Sequence, residues 1–356
     1  SEDSRFTVEF LVGDYGQADE EIYGRIRVKK IKYTIPTQGE GILGKLKRKW
    51  MYLRQFYTND SQVFVTSTAN PILGWLVVIC KVLGRKRVIF RLSSDANLYL
   101  GNYRKFGFFN YRLYKFGLFH ADVLVTQTID QKEALYHSLK LKSRVISNGF
   151  FINRNINIRS KNTILWVSRS MNLKRPWLLI ELAKRLPNEK FIMIMPSNSE
   201  NKAYYSESFS ELRDSIAQKA ADLSNVEFID YIPYLEIGKY YEEAKLFINT
   251  SEFEGFPNSF IQACLAKTPI LSFRVNPDDF ISRYKLGCCC NDSMDKAVRF
   301  IKNLDSSRLK YMGDNAMRYV ERNHNVDNSA RAYQEIILGL VRKTVPERSC
   351  KTSVSS

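Results

Sequence analysis

Strand-sized apolar runs alternate with longer amphipathic ones along almost the whole chain, and this alternation restricts the fold more than any other feature. Runs rich in β-branched and aromatic residues lie at 6–12, 63–67, 88–92, 123–127 and 145–147. A polar interval, 153–162, separates them from a second series at 164–168, 191–195, 226–229, 246–249 and 270–273, with helical patterns such as 174–186 and 234–244 between strands. Parallel neighbours need a long crossover, usually a helix, so repeated strand–helix units predict parallel sheets wrapped by helices. Two series predict two such α/β domains, and 356 residues suits two at roughly 150 residues each. The expected organisation is an N-terminal domain over 1–150 and a C-terminal domain over 151–325. A helix over 326–343 and a Ser-, Lys- and Thr-rich tail over 344–356, which reads as disordered, complete it.

The 54 Lys plus Arg outnumber 37 Asp plus Glu, leaving a net charge of +17 that calls for an anionic partner: nucleic acid, an acidic membrane surface or a phosphorylated substrate. A 44% hydrophobic and 26% charged composition excludes collagen-like and wholly disordered chains. The longest apolar stretch, 71–84, is interrupted by Lys81 and falls short of the roughly 20 residues that span a bilayer, which predicts a buried helix. The opening Ser1-Glu2-Asp3 does not read as a signal peptide. Six Cys with no CxxC pair, three of them adjacent at 288–290, make neither a disulfide framework nor a zinc site, so a reducing cytosolic setting is expected. With no Asp-x-Asp motif and no His or Cys cluster at ligand spacing, neither a metal nor a cofactor is expected.

Ligands of open parallel sheets bind beyond the carboxyl ends of the strands. The most informative such loop is NTSEFEGFPNSFIQACLA, 249–266. Gly255 frees the backbone and Pro257 sits where a first helical residue is favoured, so Asn258, Ser259 and Phe260 present N–H groups at a helix start, a natural anion site. Glu254 stands just outside that positive end and Gln262 one turn in. A plain capped helix with an exposed carboxylate is the structural alternative. A second loop, after ILWVS, carries Arg169, Lys174 and Arg175 before Pro176. Cations at a helix start oppose the dipole, whereas Arg as a fork and Lys as a point charge suit a diphosphate.

At these two loops the sequence resembles glycosyltransferase family 4, the retaining enzymes of GT-B architecture, in which two Rossmann-like domains face each other across a cleft. The resemblance covers most of the chain and is strongest over 164–280. Arg169 and Lys174 match the family's Arg and Lys, five residues apart, that hold the donor diphosphate. Glu254, Gly255, Phe256, Pro257 and onward to Gln262 match its Glu, seven residues, Glu signature, with Gln262 in place of the second Glu. The resemblance implies that Glu254 contacts the transferred sugar, that the backbone from Gly255 through Ser259 contacts sugar and phosphate, and that Gln262 holds the ribose less firmly than a carboxylate. It implies a nucleotide diphosphate sugar as co-substrate and a glycan or lipid-linked acceptor in surface polysaccharide or glycolipid synthesis. Asn148-Gly149 resembles the turn closing the N-terminal domain, and HADVLVTQT its last substrate-facing strand. Where many members carry a His near the reacting sugar, this chain offers Arg91 and Asp95 as acceptor-side residues, although Asp95 reads equally as a buried capping carboxylate. His120 reads as a structural surface residue. The run FTVEFLV resembles the family's second strand, which implies a strand–helix unit of about 30 residues missing before it.

The remaining cations cluster with aromatics and without acids at 45–54 and 99–119. Such segments suit an anionic leaflet, each cation near the surface contributing about 1 kcal/mol. A peripheral position at the inner face of the cell membrane follows as an expectation. Helices that turn their aromatics inward are the alternative. A basic nucleic-acid-binding α/β protein explains the charge but not the two loops, so no nucleic acid is expected as partner. A GT-B scaffold without catalysis is compatible with Gln262 and the missing His.

Overall fold

The computed structural model describes residues 3–14, 16–32, 41–67, 71–84, 86–93, 107–153, 161–196 and 208–342. Two compact units divide the chain: Ser1–Leu92, Tyr99–Val125 and Glu335–Ser356 form one, Ser93–Leu98 and Thr126–Gln334 the other. The second unit thus starts before the boundary read at 150, and the division falls inside the helix read at 326–343. The tail at 344–356 lies outside the described residues, as do Asp95 and the stretch 99–106 of the second basic segment.

In the first unit β1 (Val8–Val12) pairs in parallel with β3 (Ile26–Lys30), and β2 (Glu20–Tyr23) runs antiparallel to β3 across a turn at Gly24, whose φ of +61° is left-handed. The sequence pattern alone does not reveal β2 and β3. Helix α1 (Ile42–Thr58), β4 (Val63–Thr66), α2 (Ile72–Leu76), β5 (Arg87–Arg91), α3 (Phe108–His120) and β6 (Val123–Thr126) follow. Strands β4, β5 and β6 are parallel and neighbour one another in that order; β7 (Arg144–Val145) falls in the second unit. The apolar 71–84 stretch, expected to be a buried helix, is buried from Leu73 to Cys80 on its core face but leaves Val82 and Leu83 exposed: α2 passes into a wider turn, Val77–Leu83, whose end Gly84 N donates to Ile79 O at 2.9 Å. A Cβ on Gly117 of α3 would lie 2.6 Å from Gly74 N of α2, so only paired glycines permit this helix contact.

The second unit adds α4 (Ile129–Leu139), then β8 (Thr163–Val167), α5 (Trp177–Arg185), β9 (Lys190–Ile194), α6 (Ser208–Ala221), β10 (Val226–Ile229), α7 (Ile237–Glu243) and β11 (Ala244–Asn249). Helix α8 (Asn258–Leu265), β12 (Ile270–Ser272), α9 (Phe280–Arg283), β13 (Gly287–Cys289), α10 (Met294–Lys302) and α11 (Ser306–Asn323) follow, and α12 (Val326–Arg342) belongs to this unit as far as Gln334. All six strands β8–β13 are parallel, in the order β10-β9-β8-β11-β12-β13. Counted within the unit this is 3-2-1-4-5-6, the doubly wound order, with its switch point between β8 and β11. Alternate residues of each strand enter cores on opposite faces: Leu165, Ile192 and Phe247 on one, Ile164, Phe191 and Leu246 on the other. That two-sided burial is why these strands read as unbroken apolar runs. Among the described residues no helix is long and apolar enough to cross a membrane.

Candidate functional site

Strands β8 and β11 flank the switch point, and the loops that leave them, 168–176 and 250–257, are tied together. Glu252 N donates to Leu173 O at 2.9 Å, and Trp166 Nε1 donates at 2.9 Å to Thr250 Oγ1, whose own proton goes to Lys174 O. Arg175 closes a short turn, Asn172–Lys174, with a left-handed φ of +47°. From there Nε donates to Thr250 O at 2.6 Å, while Nη2 reaches Asp292 Oδ1 at 2.7 Å. Pro176 delays the helix to Trp177, three residues later than the sequence pattern indicates, because this turn comes first.

Within that frame Lys174 Nζ forms an ion pair with Glu254 Oε1, and the same oxygen accepts from Ser251 Oγ at 2.8 Å. Side-chain exposures of 13% and 20% place both charges where solvent screening is reduced. Arg169 stands exposed in the same loop, Arg91 is the half-buried last residue of β5 in the other unit, and Gln262 is half-buried on α8. Pro257 is the residue before α8 rather than its first, with φ −61° and ψ 127°. The N–H of Phe260 is already bonded to Pro257 O at 3.1 Å, so the helix start offers Asn258 and Ser259 instead of the three donors expected.

The loop between Glu254 and α8 is held by residues whose part in it the sequence does not disclose. Phe256 N donates to Gln127 Oε1 at 3.2 Å, and Gln127 N donates to Gln131 Oε1 at 2.9 Å, all buried. Asn148 Nδ2 donates to Asn258 Oδ1 at 2.8 Å and reaches Phe256 O at 3.4 Å. Across the same region Asp278 accepts from Ile129 N and Asp130 N, at 3.0 and 2.8 Å, and Asp130 Oδ2 accepts from Asp278 N at 2.6 Å. These bonds are why 126–150 belongs with the second unit. The signal available in sequence was polar: Gln127 and Gln131 flank a Ser/Thr-type helix start directly after an apolar strand, and Thr128 Oγ1 caps α4 by accepting from Gln131 N.

Beneath the loop, Phe256 packs on Phe280, Tyr319 and His324. His324 is 1% exposed, and Nδ1 donates to Asn148 O at 2.9 Å, which fixes the neutral tautomer. Burial pushes its pKa down to about 4, the Asn148 carbonyl opposing weakly. The unfolded state therefore binds a proton near pH 6.5 that the folded state refuses, and stability falls as pH drops from about 6.5 to about 4. At pH 5 this group should cost about 2 kcal/mol relative to pH 7.5, read by urea unfolding. A His324→Gln chain should show that much less loss between the two pH values, and equal slopes for both chains would refute the assignment.

Among the described residues no group of three or more His, Cys, Asp or Glu side chains is placed to hold a metal.

Residues 161–306 match the family model described as "Glycosyl transferases group 1". Over 147 residues the chain is 30% identical to the poly(ribitol-phosphate) alpha-N-acetylglucosaminyltransferase of Staphylococcus aureus (strain COL), a match covering 38% of this chain and 28% of that protein. The chain spans less than half the length of the curated relatives it matches. Among solved structures it is similar to sucrose-phosphate synthase from Thermosynechococcus elongatus, with a TM-score of 0.76 at 14% identity over 95% of this chain and 90% of that one. It is also similar to S. aureus TarM, solved with UDP and alpha-GlcNAc-glycerol, at a TM-score of 0.60 and 19% identity over 81% and 58%. The likeness shows the fold: α/β, of GT-B architecture.

Proposed function

We propose that the chain is a glycosyltransferase that moves a hexose from a nucleotide diphosphate sugar to a lipid-linked or saccharide acceptor, with retention and without a metal. The observation that supports this most is the meeting of Lys174, Glu254 and the start of α8 at the switch point of a doubly wound sheet. Lys174 and Arg169 neutralise the departing diphosphate together with the Asn258 and Ser259 N–H groups, Lys174 and the helix start being in place before the charge develops. Glu254 orients the sugar. Acceptor oxygen bonds to the anomeric carbon on the face from which the diphosphate leaves, and its proton passes to the departing phosphate oxygen. Arg91 and Asp95 belong to the acceptor side in this reading, and the setting is surface polysaccharide or glycolipid synthesis at the cytoplasmic membrane face.

A panel of UDP, GDP and ADP sugars tests it, read by thermal shift and by sugar-nucleotide hydrolysis. One nucleotide sugar should raise Tm by several degrees while oligonucleotides do nothing. Silence toward every nucleotide sugar would sink the reading and favour a scaffold. In the responsive pair, Gln262→Glu should tighten nucleotide binding roughly tenfold through a charge-assisted ribose bond, and unchanged affinity would remove Gln262 from the site.

A further inference from the structure

Helices α1 and α3, the described parts of the basic segments in the first unit, form one surface. The second half of α1 is anchored: Leu53 and Phe56 are buried, and Phe56 meets Phe64 edge-on at 6.1 Å. Its first turns are not. Ile42, Leu46 and Trp50, spaced four apart on one helical stripe, are 78%, 60% and 64% exposed, and Leu43 beside them 83%. Helix α3 repeats the pattern, with Tyr114 and Leu118 buried and Phe108 and Phe109 exposed at its start. Helix α2 joins the two: Trp75 packs on Phe109 with ring centroids 6.4 Å apart, and Lys49 Nζ of α1 lies 4.8 Å from the Trp75 ring. Neither α1 nor α3 contains an Asp or Glu, while Lys45, Lys47 and Lys49 on α1 and Arg112 and Lys115 on α3 are exposed.

We infer that this α1–α3 face is a docking surface for an anionic lipid leaflet, into which Ile42, Leu43, Leu46, Trp50, Phe108 and Phe109 insert while the flanking cations meet the headgroups. Large apolar side chains on a helix stripe, with Lys and Arg and no acid on either helix, match a helix lying in the bilayer interface. A nucleic acid or an acidic protein accounts for the cations but leaves the aliphatic Ile42, Leu43 and Leu46 without a partner suited to them, since bases stack on aromatic faces. The surface gives the proposed enzyme access to a lipid-carried acceptor and rests on that reading for its purpose only; lipid binding itself needs no turnover.

Vesicle co-sedimentation of the whole chain, without nucleotide sugar, tests it. Phosphatidylcholine vesicles with about 30 mol% phosphatidylglycerol should bind at least about tenfold more tightly than phosphatidylcholine alone, an advantage that shrinks as salt rises. Replacing Lys45 and Lys47 by Gln should weaken anionic-vesicle binding roughly 25-fold, about fivefold per cation. Leu46→Ser with Trp50→Ser should release the protein from both vesicle types while Tm and the donor response stay as in wild type. Equal binding to neutral and anionic vesicles, wild-type binding by either variant, or heparin binding that depends on Leu46 and Trp50 as strongly as lipid binding does would each overturn the inference. Vesicle binding with no response to any nucleotide sugar would leave this surface standing and remove only the enzymatic reading.

Discussion

Lys174→Ala should lower kcat/KM for the nucleotide sugar by at least about 100-fold and abolish the thermal shift that a nucleoside diphosphate produces, with the fold retained. The size follows from what the ammonium does in each state. It pairs with Glu254 under partial burial, and in the proposed reaction it faces the diphosphate as charge builds on the leaving oxygen. The stability cost should be only about 1–2 kcal/mol, because Glu254 keeps the Ser251 hydroxyl at 2.8 Å and the frame beneath is held by Arg175 rather than Lys174. Glu254→Gln should lower turnover comparably while sparing nucleoside diphosphate binding, since in the proposed reading the diphosphate meets the cations and the sugar meets the carboxylate. A double variant should be little worse than the worse single, as expected of groups that act as a unit. Wild-type turnover in Lys174→Ala would refute the clamp outright; strictly additive losses would separate the two residues into independent sites.

What the sequence discloses here follows from distance along the chain. Strands β8 to β12 were legible because burial on both faces leaves a continuous apolar run, such as Ile164-Leu165-Trp166-Val167, that no helix period disguises. The β2–β3 hairpin was hidden because its strands, EEIY and IRVKK, are rich in charge and mostly exposed or half-exposed, so their alternation carries little hydrophobic contrast. Strand β13 escaped as three residues, Gly-Cys-Cys, too short to show a period. The candidate site divides the same way. Lys174 and Glu254 can be singled out as candidates because each sits in a loop with its own local signature, and the structure pairs them. Gln127 and Asn148 were not given their roles, because their partners lie 129 and 108 residues away, and nothing local to a buried amide tells which backbone it will hold. Arg175 differs again: it stands beside Lys174 in the same loop with no role assigned from sequence, and its left-handed backbone turns the guanidinium onto Thr250 O and Asp292.

Gly255→Ala should cost about 100-fold in turnover with little change in Tm, an effect of one methyl group on the loop proposed to hold the sugar on one side and the phosphates on the other. Gly255 has no left-handed φ, so the loss is steric rather than conformational. An added Cβ would lie 2.7 Å from Gln131 Nε2 and 3.0 Å from Ser93 O. The Gln131 amide is not free to swing aside, because its Oε1 accepts Gln127 N at 2.9 Å and Gln127 in turn accepts Phe256 N at 3.2 Å. The strain therefore passes to the 255–256 peptide, whose displacement moves Glu254 away from Lys174 and shifts the Asn258 and Ser259 N–H groups together. Removing the nearer obstacle, Gln131→Ala in the Gly255→Ala chain, should recover about tenfold in kcat, while Gln131→Ala alone should lower activity modestly by loosening Gln127. Wild-type kcat/KM in Gly255→Ala would show that the loop tolerates displacement and that its grip by Gln127 and Gln131 has no bearing on transfer. Loss without any recovery in the double variant would transfer the cause to the Ser93 carbonyl, which no side-chain change can move.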